Sequence, residues 1–122
     1  MSKCDTKIMI AEGSNRRLYK WVTEVGVYLI AERYMEGKCK TYSIYLSNDG
    51  YLHVYSSRNW LETTDYLEVQ LTHETSMQIR SAIESVKTFR DFKRVFNWLL
   101  NATYCYGEQG ANICNDEDIY DL

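Results

Sequence analysis

Proline is absent from this chain, and rigid linkers and proline-rich recognition segments are excluded with it. Histidine occurs only twice, as His53 and His73, far apart in sequence. None of the four cysteines, Cys4, Cys39, Cys105 and Cys114, stands in CxxC spacing. The common zinc-ligand patterns are therefore missing, and neither a metal nor another cofactor is expected. No apolar run approaches the roughly 18 residues that would suggest a membrane span. The first residues also lack the basic start and apolar run of a signal peptide. The expectation is a cytoplasmic protein with reduced thiols and no membrane partner, a Cys105–Cys114 bridge being reserved for an oxidising setting.

Catalytic signatures are equally scarce. Cys4, Cys105 or Cys114 can be paired on paper with a histidine, but no GxSxG elbow or comparable motif supports a nucleophile. Asn112–Asp121 is dense in oxygen ligands yet has no EF-hand register of alternate ligands, central glycine and closing glutamate. The chain is read as a non-enzyme.

What is present describes a folded domain. With 122 residues, 45% apolar and 25% charged, the chain has an ordinary globular composition and length enough for one core without staples. Eleven tyrosines accompany only three phenylalanines. Tyrosine suits half-buried sheet faces and contact surfaces, because its ring buries area while its hydroxyl keeps a polar partner. The net charge of −3 argues against direct nucleic-acid binding. Its distribution is uneven. Residues 102–122 hold Glu108, Asp116, Glu117, Asp118 and Asp121 without a single Lys or Arg, leaving 14 basic against 12 acidic side chains in the rest.

Periodicity places the elements. Lys7–Ala11 reads as a short strand ended by Glu12-Gly13-Ser14-Asn15. In Leu18–Tyr34 the residues Tyr19, Trp21, Val25, Val27, Leu29 and Ala31 alternate, with Gly26 marking a turn or bulge between two strands or within one long bent one. Cys39–Leu46 and Tyr51–Ser56 flank Asp49-Gly50 and predict a hairpin with a tight turn. Leu52, Val54 and Ser56 should share one face and Tyr51, His53 and Tyr55 the other. Arg58–Thr64 is left as a loop or helical turn, and Tyr66–Leu71 is the last strand. Ile79, Ala82, Ile83 and Val86 then follow helical spacing, as do Phe89, Phe92, Val95, Phe96 and Leu99. Thr75 with Gln78, and Thr88 with Asp91, form start signals of the capping-box type, so a break falls near Lys87–Thr88. The prediction is an α+β fold: four to six antiparallel strands over residues 7–71, covered by one or two helices over 73–101. It forms a single domain over residues 1–106, with an acidic tail at 107–122.

Two sets of residues are candidates for function. In the tail, Asp116, Glu117, Asp118, Ile119, Tyr120 and Asp121 mix acids with apolar side chains, as a segment docking on a basic protein groove would. In the body, Gly13-Ser14-Asn15-Arg16-Arg17 could hold an anion with its amides and guanidinium groups. The cluster of Lys87, Arg90, Lys93 and Arg94 could hold a phosphate, or be simply the solvated side of a helix. The general character of the chain, short, acidic and without proline or catalytic motif, resembles that of phage and mobile-element accessory proteins, anti-CRISPR inhibitors among them. That resemblance is one of composition. It implies a protein that binds a larger, nucleic-acid-handling host protein and blocks it stoichiometrically. The alternative is a small-ligand or nucleotide-sequestering protein that uses Arg16, Arg17, Arg90, Lys93 and Arg94. An exposed strand edge or tyrosine face also suits a homodimer.

Overall fold

The computed structural model describes residues 6–101 and Leu122. Six strands follow one another: β1 (Thr6–Gly13), β2 (Arg16–Val22), β3 (Gly26–Met35), β4 (Lys38–Ser47), β5 (Tyr51–Arg58) and β6 (Glu62–Gln70). Two helices, α1 (His73–Glu84) and α2 (Phe89–Asn101), complete the described chain. The sheet is an antiparallel meander in the order β1-β2-β3-β4-β5-β6. Each strand pairs with its sequence neighbour, which short turns permit. The α+β expectation holds, with six strands and two helices.

The turns explain the register. Ser47 to Gly50 closes with the Gly50 amide donating to the Ser47 carbonyl at 3.1 Å, and Gly50 follows at φ +93°. Asp49-Gly50 thus belongs to a three-residue hairpin loop with its glycine in the left-handed position, a variant of the tight turn expected there. The chain between Tyr19 and Ala31 needs a correction. Thr23 turns it, with its hydroxyl accepting from the Val25 and Gly26 amides. Val22 then pairs with Val27. The numbering keeps its odd–even alternation through this turn, but the direction of the side chains does not. Tyr19 and Trp21 share a face with Tyr28, while Val27, Leu29 and Ala31 line the core with Leu18. Arg58–Thr64 is likewise a hairpin turn running into β6, not a helical turn.

The helices pack on one face of the sheet. Ile79, Ile83 and Val86 are buried on the α1 side, and Phe89, Phe92, Val95, Phe96, Leu99 and Leu100 on α2. They meet Leu18, Leu29, Ile44, Leu46, Leu52, Val54, Leu67 and Val69 from the strands. Helix α1 begins earlier than the Thr75–Gln78 box suggested, because Thr72 is its cap and accepts from the Thr75 amide at 3.2 Å. The second box is as expected: the Asp91 amide donates to the Thr88 hydroxyl at 3.0 Å, and the Asp91 carboxylate accepts from the Thr88 amide at 3.2 Å. Leu122 is buried in the same core, and Lys93 Nζ donates to its main-chain oxygen at 3.0 Å. No helix among the described residues is long and apolar enough to cross a membrane.

Candidate functional site

Antiparallel register turns the uncovered face of the sheet into a lattice. One row crosses all six strands as Lys7, Trp21, Tyr28, Tyr45, His53 and Glu68. The next is Met9, Tyr19, Ile30, Ser43, Tyr55 and Asp65, and the third is Glu12, Arg17, Glu32, Thr41, Ser57 and Thr63. Among the described residues no helix lies over this face.

Rings touch along the first row from Trp21 to Tyr45, and contacts continue to His53 by way of Tyr51. Trp21 and Tyr28 lie 5.2 Å apart between ring centres, Tyr28 and Tyr45 4.5 Å. Tyr45 meets Tyr51 edge-on at 6.3 Å, and His53 stacks on Tyr55 at 4.3 Å. Neighbouring strands lie about 4.8 Å apart, so side chains paired across them come into ring contact without further help. Lys7 places its ammonium 4.3 Å above the Tyr19 ring.

Beside this stack the side chains shorten and a cleft opens. Its floor is Glu32, Thr41, Ser43 and Ser57, and its walls include Trp21, Tyr55 and Trp60, around a volume of about 380 Å³. The floor residues are buried although none of the described helices covers this side of the sheet, because taller rings flank them. Thr41 and Ser57 share a hydrogen bond of 2.6 Å, and the Tyr34 hydroxyl donates to Glu32 at 2.7 Å.

That bond to Glu32, aided by burial, pushes the Tyr34 pKa up to about 12. Burial is the first cause raising Tyr45, Tyr51 and Tyr55 as well. A tyrosine whose pKa is raised by folding contributes stability that is complete below its unfolded pKa near 10 and is lost as pH rises through the folded value. The phenolate absorbance of the native protein is therefore expected to lag that of the unfolded chain above pH 10, and the denaturation midpoint to fall over the same range. Coincident titration curves would mean that these rings are open to water.

Trp60 carries backbone strain. Asn59 and Trp60 have φ of 52° and 60°, and the Leu61 amide donates to the Arg58 carbonyl at 3.0 Å, the pattern of a type I′ turn. Such turns favour Asn-Gly, and a tryptophan in the second position costs about 1 kcal/mol or more. Its side chain remains 62% exposed beside the cleft. Trp60→Gly is expected to leave stability unchanged or raise it by up to about 1 kcal/mol, read from urea denaturation, while removing one wall of the cleft. A clear loss of stability would show that the indole is held by packing.

The residues singled out in the body of the sequence do not converge. Arg16 and Arg17 point to opposite faces of β2, as successive strand residues must. The Arg16 guanidinium lies 4.2 Å over the Phe89 ring on the helix side. Arg17 lies 3.5 Å from Glu12 on the open side. The two guanidinium groups expected to share an anion are therefore held on opposite faces of the sheet. Lys87, Arg90 and Arg94 are exposed, Arg94 being 3.8 Å from Asp91, and Lys93 reaches Leu122. Asp116, Glu117, Asp118, Ile119, Tyr120 and Asp121 lie outside the described residues, as do Cys4, Cys105 and Cys114; Cys39 is a buried free thiol.

The chain matches no protein-family model, no curated protein and no solved structure. Function is therefore argued from the open face. The sequence signal for that face was the excess of tyrosine and the alternation of Tyr51, His53 and Tyr55; Trp21 and Tyr28 joined it only through the turn at Thr23.

Proposed function

We propose that this is a non-enzymatic binding protein that uses the uncovered face of its sheet to hold a partner protein. The observation that carries the reading is the ring row Trp21–Tyr28–Tyr45–His53 with its neighbours Tyr51 and Tyr55. Stacked rings on a rigid sheet offer large contact area with little rotamer freedom left to lose on binding. Rings on a sheet can also stack nucleic-acid bases. The charges of this face favour a protein instead: its three rows carry Lys7 and Arg17 against Glu12, Glu32, Asp65 and Glu68. An acidic, ring-rich face complements a basic surface, such as that of a nucleic-acid-handling protein. The action is stoichiometric, in the manner of the phage and mobile-element inhibitors, anti-CRISPR proteins included, that the composition resembles.

The test compares the parent with a Tyr28→Ser, Tyr45→Ser variant whose fold is verified by circular dichroism. The parent should retain a nucleic-acid-handling protein from a bacterial lysate, less of it as salt rises, and the variant should lose it. Equal retention by both, or none by the parent, overturns the reading. Face substitutions are preferable to shortening the chain at Gly107, because shortening also removes Leu122 from the core.

The cleft favours a second reading, a small ligand with an apolar face and hydrogen-bonding groups held between Trp21, Trp60 and Tyr55 above the hydroxyl floor. Such a ligand should raise the melting temperature of the parent and not of Trp60→Gly.

A further inference from the structure

A regular strand directs residues three apart to opposite faces. β6 breaks that rule between Asp65 and Glu68. The pairing of β5 with β6 shifts between Val54 and Tyr55, so that His53 stands opposite Glu68 while Tyr55 stands opposite Asp65. The extra residue is Tyr66, which turns inward, shares a 2.8 Å hydrogen bond with Ser56 and meets the Phe96 ring edge-on. This bulge lets Asp65 and Glu68 both face outward, on either side of His53. Bulges re-aim side chains in just this way, and they are common beside functional sites.

We propose that His53, Asp65 and Glu68 bind a divalent first-row transition ion of the zinc class. His53 Nε2 lies 2.7 Å from Asp65 Oδ1 and 3.3 Å from Glu68 Oε1. One donor atom from each of the three lies within 4.8 Å of the others. A tetrahedral zinc ion with bonds of about 2.1 Å spaces its donor atoms about 3.4 Å apart, so small side-chain movements admit the ion. The same ring nitrogen faces both carboxylates, which aims the imidazole at the centre of the cluster. A supporting shell is also in place. The Tyr55 ring stacks on the imidazole at 4.3 Å, and the Tyr51 ring lies 6.2 Å from it on the other side along the strand. Groups of this kind hold metal ligands in orientation.

The donor set indicates the ion. One imidazole nitrogen and two carboxylates suit zinc and its first-row neighbours, whereas calcium and magnesium need six or more oxygen ligands. Three protein ligands at the solvent-facing end of the row leave the remaining position to water. The two carboxylates supply the charge that balances a divalent ion.

The probe is zinc chloride, titrated into the full chain by calorimetry with magnesium as the comparison. One zinc per chain should bind through these residues. His53→Gln, Asp65→Asn and Glu68→Gln should each weaken it about tenfold or more. His73→Gln should not, and neither should replacement of the four cysteines by serine. The His53 and Tyr55 side-chain resonances should shift on zinc addition, and the melting temperature should rise. All three ligand positions are at the surface, so the variants should fold, which circular dichroism verifies. Absence of zinc binding by the parent overturns the proposal. So does zinc affinity that survives Asp65→Asn and Glu68→Gln, or magnesium binding of equal strength. This outcome is independent of partner binding by the ring row, which the Tyr28 and Tyr45 substitutions report.

Discussion

Phe96→Ala is expected to destabilise the protein by about 3–5 kcal/mol, the range for emptying an aromatic site in a packed core. Phe96 is fully buried in the middle of α2. Its ring meets Tyr42 edge-on at 5.7 Å and Tyr66 at 5.9 Å, and lies 5.6 Å from Phe92. These contacts join the second helix to strands β4 and β6, so the void would open between the layers, where neither can collapse without moving the other. Domains of this size have total stabilities of about 5–15 kcal/mol. The loss is therefore a large share of the whole. Urea denaturation should show the midpoint falling with little change in slope. A cost below about 1 kcal/mol would mean that α2 is not seated on the sheet in this way.

Gly26→Ala is the second large effect, and it ties the fold to the open face. A methyl group at Gly26 would lie 2.5 Å from the Leu46 carbonyl oxygen and 2.7 Å from the Ser47 Cα, with a Tyr45 ring carbon at 3.0 Å. The first two are backbone atoms of the paired strand, which cannot swing aside as a side chain can. Overpacking of this kind typically costs about 1–3 kcal/mol. Because Tyr45 stands in the ring row, the strain should also displace it from Tyr28. Near-ultraviolet circular dichroism should change together with the denaturation midpoint. If Gly26→Ala were neutral in both, the close approach of β3 and β4 at this point would be wrong. Gly37 is the contrast: its φ is +64°, and nothing lies within 4 Å of an added methyl. Any cost there is one of backbone conformation alone.

The legible parts of the fold were those written locally. The stripe Phe89, Phe92, Phe96 and Leu99 predicts a helix from its own spacing, and Thr88 with Asp91 marks its start. Tyr42, Ile44 and Leu46, opposite Leu52, Val54 and Ser56, predict a hairpin with a covered side, and the structure pairs Leu46 with Leu52 and Ile44 with Val54. Alternation failed at Val25 and Val27, because a turn with an even number of residues, here four between Val22 and Val27, reverses the face while the odd–even pattern continues. It was also silent about Tyr66, since nothing local distinguishes an extra residue in a strand from an ordinary one. The candidate site suffered most from this. Arg16 and Arg17 are adjacent in sequence and separated in space, whereas His53 and Asp65 are twelve residues apart and in contact. His53 and His73 are too far apart in sequence to signal a metal site with each other or with cysteine. The carboxylates that meet His53 lie on the paired strand, where local spacing does not show them.

The sequence by itself determined the class of the fold, the helical pair, the central hairpin and the tyrosine-rich character of one side of the sheet. These follow from apolar periods of about 3.6 and 2 residues and from turn chemistry, all carried by neighbouring residues. Tertiary structure alone decided which side the helices cover, which rings join into one row, that Arg16 packs on Phe89, and that His53 meets two carboxylates. Each of these depends on register between strands, and the last also on one extra residue at Tyr66. Register is a property of paired chains, so no stretch of the sequence contains it.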